Sequence, residues 1–174
     1  MIAIRRARPG DEAAVVAMIH DLALFESASD ECTVTENQIS TALFGEDSVA
    51  SCFLAEVDGQ VAAMALWFRN FSTWDGVAGI HLEDLFVRPP FRRRGLAHAL
   101  LAALARECVE KNYSRLSWAV LDWNTNAIAL YDAVGGRPLR EWITYRVSGT
   151  SLSELAESEL ADSAGAIRPT RDSP

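Results

Sequence analysis

The chain has 174 residues, 49% of them apolar, and a formal net charge of −8. That length fits one domain with an ample core, and the acidic balance argues against nucleic acid as the main partner, which asks for a basic face. No apolar run reaches the roughly 18 to 20 residues of a membrane span, and MIAIRRARPGDE lacks the apolar stretch of a secretory leader, so a cytoplasmic protein with no membrane partner is expected.

Ile2–Arg6 alternates apolar and charged residues and is predicted to be a strand. Pro9-Gly10 breaks it, and Asp11 is placed as the N-cap of a helix to about Phe25, with Ala14, Val15, Met18, Ile19 and Leu22 on one face. The stretch from Glu26 to Glu31 is an acidic loop, and Thr35 with Gln38 has capping-box form at the start of a short helix to about Phe44. Ser51 to Val57 and Gln60 to Phe71 form a hairpin about Asp58-Gly59, and Val77 to Val87 adds a third antiparallel strand. That strand carries Glu83 and Asp84. Neighbours in a regular strand point to opposite faces, so both carboxylates serve one site only if the strand is bulged there.

Arg88-Pro89-Pro90 stops the strand, because proline cannot donate to a ladder. Phe91, then Arg92, Arg93, Arg94 and Gly95, lead into a helix from Leu96, whose apolar stripe is Ala97, Leu100, Leu101, Leu104 and Cys108. The free N–H groups and positive dipole end of such a start favour an anion, with phosphate the obvious guest. It is neither a Walker loop nor a dinucleotide fingerprint. Arg115 to Leu121 follows a crossover helix and so forms a parallel pair with the preceding strand. Asp122-Trp123-Asn124 caps a helix from Thr125 to Val134, ended by Gly135-Gly136. A last strand, Pro138 to Val147, and a short helix, Ser151 to Leu160, complete a domain placed at 1–160. Residues 161–174 are small, polar and proline-bearing, and are expected to be a disordered tail. The element order is that of an α/β or α+β sheet with one parallel junction. Three cysteines and the scattered His20, His81 and His98 show no metal-ligand spacing, so no metal is expected.

The stretches LEDLFVRPPFRRRGLAHALLAALA and AVLDWNTNAIALYDAVGG resemble the GNAT N-acetyltransferase superfamily, nearest its spermidine/spermine (diamine) and thialysine acetyltransferase branch. The resemblance spans about Ile2 to Val147. It implies a mixed central sheet of six to seven strands, with a splayed parallel pair and flanking helices. It implies acetyl-coenzyme A as cosubstrate and a homodimer. By the same resemblance Arg92, Arg93, Arg94, Gly95, Leu96 and Ala97 form the diphosphate site, and the backbone of Phe86 and Val87 pairs with the pantetheine arm. Asn124 contacts the cofactor, Tyr131 is the general acid, Glu83 the general base and Asp84 the contact to the substrate amine. Ala97 stands where a second glycine is commoner, and Glu141-Trp142 lacks the glycine that relatives place between such residues. The second departure lies on the acceptor side, so the acceptor stays open.

An alkylammonium, of pKa about 10.4, cannot attack while protonated, and a carboxylate near 4.3 is too weak to deprotonate it unaided. Glu83 is therefore given an electrostatic role, receiving the proton through a water, while Tyr131 supplies a hydrogen bond to the leaving thiolate. Cys52 and Cys108 have no adjacent histidine and are assigned to the core. Trp74 and Trp142 are placed in the wall of an acceptor pocket, and Glu26 at its acidic mouth. The expected reaction is direct acetyl transfer, in a ternary complex, to a primary amine of a polyamine, diamine or lysine-like amino acid. A protein lysine or N-terminal acetyltransferase and a non-catalytic coenzyme A-binding module are the rivals.

Overall fold

Side-chain alternation decides which face of each strand is buried, and here both faces are covered. The computed structural model describes residues 1–158. By contact the chain divides into two compact units, Met1–Gly136 and the residues from Arg137 onward. In the first, the element order is β1 (Ile2–Arg6), α1 (Glu12–Phe25), α2 (Glu36–Phe44), β2 (Ser51–Val57), β3 (Gln60–Ser72), β4 (Val77–Val87), α3 (Leu96–Glu110), β5 (Leu116–Trp118) and α4 (Thr125–Ala133). The strands lie in the order β1-β2-β3-β4-β5, antiparallel except for the parallel pair β4–β5. The sheet thus has five strands among the described residues, not the six to seven expected.

The turn between β2 and β3 has both central residues at positive φ, Asp58 at 51° and Gly59 at 82°, which suits the twist of a two-residue hairpin. One face of the sheet, with Ala63, Ala65, Trp67, Ile80 and Leu82, packs on Leu96, Leu100, Leu101 and Leu104 of α3. The other, with Leu54, Met64, Leu66 and Phe86, packs under Val15 and Met18 of α1 and Ile39 of α2. Thr35 and Gln38 close the expected capping box on α2. Asp11 makes no such cap. Its carboxylate instead takes two bonds from Arg5, at 2.7 and 2.9 Å, and one from the Arg8 amide.

Two strand expectations are corrected. β5 pairs with β4 only over Leu116–Trp118, against Ile80–Leu82, while β4 runs on to Val87 against β3 alone. The expected extension to Leu121 has therefore left the ladder, and a gap opens beside the second half of β4. The expected last strand, Pro138 to Val147, is irregular: in the second unit Leu139, Trp142, Ile143 and Tyr145 are exposed. A strand needs a partner edge for its amides, and the described residues of the second unit form no strand that could supply one. Its helix α5 runs Thr150–Glu157; the rest of the predicted helix and the tail lie outside the described residues.

Candidate active site

The register of β3 on β4 places the carboxylates. Leu66 lies opposite Asp84 and Trp67 opposite Leu82, which leaves Glu83 with no residue across from it. This is the bulge that the neighbouring carboxylates required. Before it, Ile80 and Leu82 belong to the α3 face; after it, Leu85 and Val87 do, and Phe86 belongs to the α1 face. The alternation flips between Leu82 and Leu85, so Glu83 and Asp84 both leave the sheet on the side of α1.

They enter a cleft of about 930 Å³, lined by the end of α1, the second half of β4, the start of α3, the segment after β5, and α4. Glu26, Glu83, Asp84, Phe86, Val87, Arg92, Arg93, Gly95, Leu96, Ala97, Asn124 and Tyr131 all line it. Arg94 and Trp74 do not. The Arg94 guanidinium sits 5.6 Å from the Phe91 ring centroid. Trp74 is 89% exposed, and Trp142 belongs to the second unit and is exposed there.

At the start of α3, Arg93 and Gly95 have φ of 60° and 77°. Left-handed residues in such a turn aim successive amides to one side, and the first N–H groups of α3 add to them. A Cβ at Gly95 would meet no protein atom within 4 Å, so the bare glycine leaves a cradle over the turn. Arg92 is turned back from it. Its Nε donates to the Val87 carbonyl at 3.1 Å and its guanidinium lies 5.2 Å from the Phe25 ring centroid. The cradle is therefore mainly backbone. The Asn124 carboxamide oxygen accepts from the Ala127 amide at 3.2 Å and caps α4, the helix that carries Tyr131.

Charge is concentrated on the carboxylates. Burial, then the neighbouring Glu83 and Glu26, pushes Asp84 from 3.8 up to about 6. Partial desolvation raises Glu26 as well. Burial raises Tyr131, whose ring lies 4.9 Å from that of Trp118, so the phenol keeps its proton at neutral pH. The Cys52 thiol is buried and pushed up to about 12, and Cys108 is raised by burial too, so neither is a ready nucleophile.

The sequence pattern passed over His81 and Ser117. His81 stands two residues before Glu83 and so on the same face of β4, a spacing that was visible. Ser117 lies opposite His81 through the parallel register, which only the folded sheet fixes. Among the described residues there is no group of three or more metal-ligating side chains and no helix long and apolar enough to cross a membrane.

Residues 17–135 match the model of the Acetyltransferase (GNAT) family. The chain is 39% identical over 146 residues to a thialysine N-epsilon-acetyltransferase of Caenorhabditis elegans, covering 82% of this chain and 89% of that one. It is 34% identical to the protein of the same name from Bos taurus, covering 89% and 97%. Among solved structures, an integron cassette protein from the mobile metagenome of V. cholerae superposes with a TM-score of 0.77 at 25% identity, covering 90% of this chain and 98% of that one. With the match running from α1 through the end of α4, this chain belongs to the GNAT acetyltransferase family and is an N-acetyltransferase.

Proposed function

We propose that the enzyme transfers acetyl from acetyl-coenzyme A directly to the primary amine of a small cationic acceptor, with thialysine- and lysine-like amino acids foremost and diamines or polyamines beside them. The observation that carries this is the β4 bulge, which turns two adjacent carboxylates into the same cleft as the amide cradle of α3. The relatives' thialysine activity supports the same acceptor class.

The chain's residues then divide the work. The amides from Arg93 to Ala97 hold the diphosphate, and the backbone of Phe86 and Val87, on the stretch of β4 beyond β5, hydrogen-bonds the pantetheine arm. Asn124 flanks that arm. Asp84 binds the acceptor ammonium by a charge-assisted hydrogen bond, Glu26 adds negative charge at the mouth, and Glu83 takes up the ammonium proton through a water. Tyr131, protonated at neutral pH, gives its proton to the departing thiolate. Attack is direct, because the two buried thiols are held protonated. The free cysteines fit a reducing cytoplasm, and a homodimer is the assembly that the family branch leads us to expect.

The test is acetyl-coenzyme A consumption with thialysine, lysine, ornithine, putrescine, spermidine, a lysine-bearing peptide and a neutral aromatic amine. A small cationic amine should give the highest kcat/KM. A peptide as best acceptor would replace this proposal with a protein acetyltransferase. Tight coenzyme A binding without turnover of any amine would leave a binding module.

A further inference from the structure

Glu83 takes up a proton in the proposed reaction, and that proton must leave. On the same face of the bulged strand, His81 Nε2 stands 3.8 Å from Glu83 Oε2, within ion-pair distance. The other ring nitrogen, Nδ1, lies 3.5 Å from Ser117 Oγ on β5. The Ser117 hydroxyl, with one proton to give, donates to the Ile80 carbonyl at 3.3 Å. Asn70 Nδ2 donates to the same Oγ at 3.5 Å. With its proton committed to Ile80, Ser117 Oγ serves His81 as an acceptor. That selects the tautomer with hydrogen on Nδ1 and leaves the Nε2 lone pair facing Glu83. The ring is held in place by Phe68, whose centroid is 5.0 Å away across β3. Around it, β3 contributes uncharged Phe68 and Asn70 and β5 uncharged Ser117. The charged groups on this side are Glu83 itself, Asp84 beyond it on β4, and Glu26 at the end of α1, which shares the cleft with both.

We infer that His81, oriented by Ser117, is a positioning residue that drains the acceptor's proton from Glu83 to water. The inference rests on the proposed role of Glu83. An ammonium N–H bond breaks and a Glu83 O–H bond forms. As the exposed Glu83 side chain closes the 3.8 Å to hydrogen-bond reach, that O–H breaks and an N–H forms on His81 Nε2, giving an imidazolium with Glu83 again a carboxylate. The imidazolium releases its proton to bulk water. The free amine's electron pair attacks the thioester carbon, the C–S bond breaks, and the thiolate takes the Tyr131 proton. The second N–H proton, lost as the amide forms, restores the phenol. Net, one thiol and one free proton result.

The experiment compares the parent with His81→Ala, Ser117→Ala, Glu83→Gln and the His81→Ala/Glu83→Gln double variant, using thialysine across pH 6 to 9, an interval of about three units around neutrality. His81→Ala should lower kcat roughly 10- to 100-fold, leave acetyl-coenzyme A affinity unchanged, and recover rate as free imidazole is added. Ser117→Ala should lower kcat less and alter its pH profile. The double variant should be no slower than Glu83→Gln alone, because the two act in series. A His81→Ala variant with parental kcat, chemistry being rate-limiting, overturns the inference. So does a loss that imidazole does not restore in a variant of unchanged Tm. Should Glu83→Gln itself keep the parental rate, it is the proposed role of Glu83 that fails, which the single variant reports on its own.

Discussion

Burial that moves a carboxyl from 3.8 to about 6, as at Asp84, has removed hydration that the surroundings do not replace. The folded value lies above the unfolded one, so the protonated form is favoured on folding. The cost of the ionised group is absent below about pH 4, grows from there, and is complete above about pH 6. Asp84→Asn should therefore stabilise the unliganded enzyme at pH 8 by roughly 1 to 3 kcal/mol, raising Tm by several degrees, and this gain should vanish near pH 4. The same substitution should raise the acceptor KM about 10- to 100-fold, because a charge-assisted hydrogen bond is lost. Thermal melts at the two pH values, read beside acceptor kinetics, check both; an unchanged Tm at pH 8 would count against a desolvated Asp84. Tyr131 makes a separate case. Tyr131→Phe removes only the hydroxyl and should lower kcat roughly 10- to 1,000-fold at little cost in acetyl-coenzyme A affinity. Full kcat in that variant would return the ring to its packing against Trp118.

The start of α1 is held by ions where a side-chain cap was expected. Arg5 of β1 bridges Asp11 and Glu56, with Arg5 24% and Asp11 12% exposed. Arg5 holds the Asp11 carboxyl below its usual range, so the contribution is present above about pH 4 and is lost as pH falls. Asp11→Ala should cost about 1 to 3 kcal/mol at neutral pH, since it leaves Arg5 with Glu56 as its one carboxylate partner and frees the Arg8 amide; urea unfolding measures it. At the start of α3, Gly95→Val places a β-branched residue at φ 77° and fills the cradle. It should raise the KM for acetyl-coenzyme A far more than that of the acceptor, and equal cofactor affinity would remove the turn from the site. Elements of this kind were legible in the sequence wherever the determinant is local. The capping box at Thr35, the Asp58-Gly59 turn and the stripe of α3 depend on residues within a few positions. The requirement for a bulge at Glu83-Asp84 was legible too, since two carboxylates cannot otherwise share a face. The length of β5, the His81–Ser117 contact and the state of Pro138 to Val147 were not. Each depends on which strand edge stands alongside, and chain-distant register leaves no periodic trace.

For the molecule as a whole, the net charge of −8 and the cleft carboxylates Glu26, Glu83 and Asp84 set a field that a cationic amine meets before it binds. Asp30 and Glu31, exposed in a short turn after α1, add to that field without lining the cleft. Attraction of this kind acts over the Debye length, about 10 Å at 0.1 M salt, and is screened beyond it. Contact within the cleft is screened much less. Raising ionic strength from roughly 0.02 to 0.5 M should therefore lower kcat/KM for thialysine or lysine several-fold through the capture step, while kcat stays nearly constant. Putrescine and spermidine, with more positive charge, should respond more steeply than a monoamine. A neutral aromatic amine has no charge to steer and should be insensitive. The series separates two levels of the assignment. If the neutral amine is the best acceptor and salt leaves every kcat/KM unchanged, the cationic acceptor is wrong, although acetyl transfer itself survives. If the cations win but salt has no effect, recognition rests on Asp84 and Glu83 inside the cleft. Then Glu26→Gln, at the mouth, should leave the acceptor KM unaltered while Asp84→Asn still raises it.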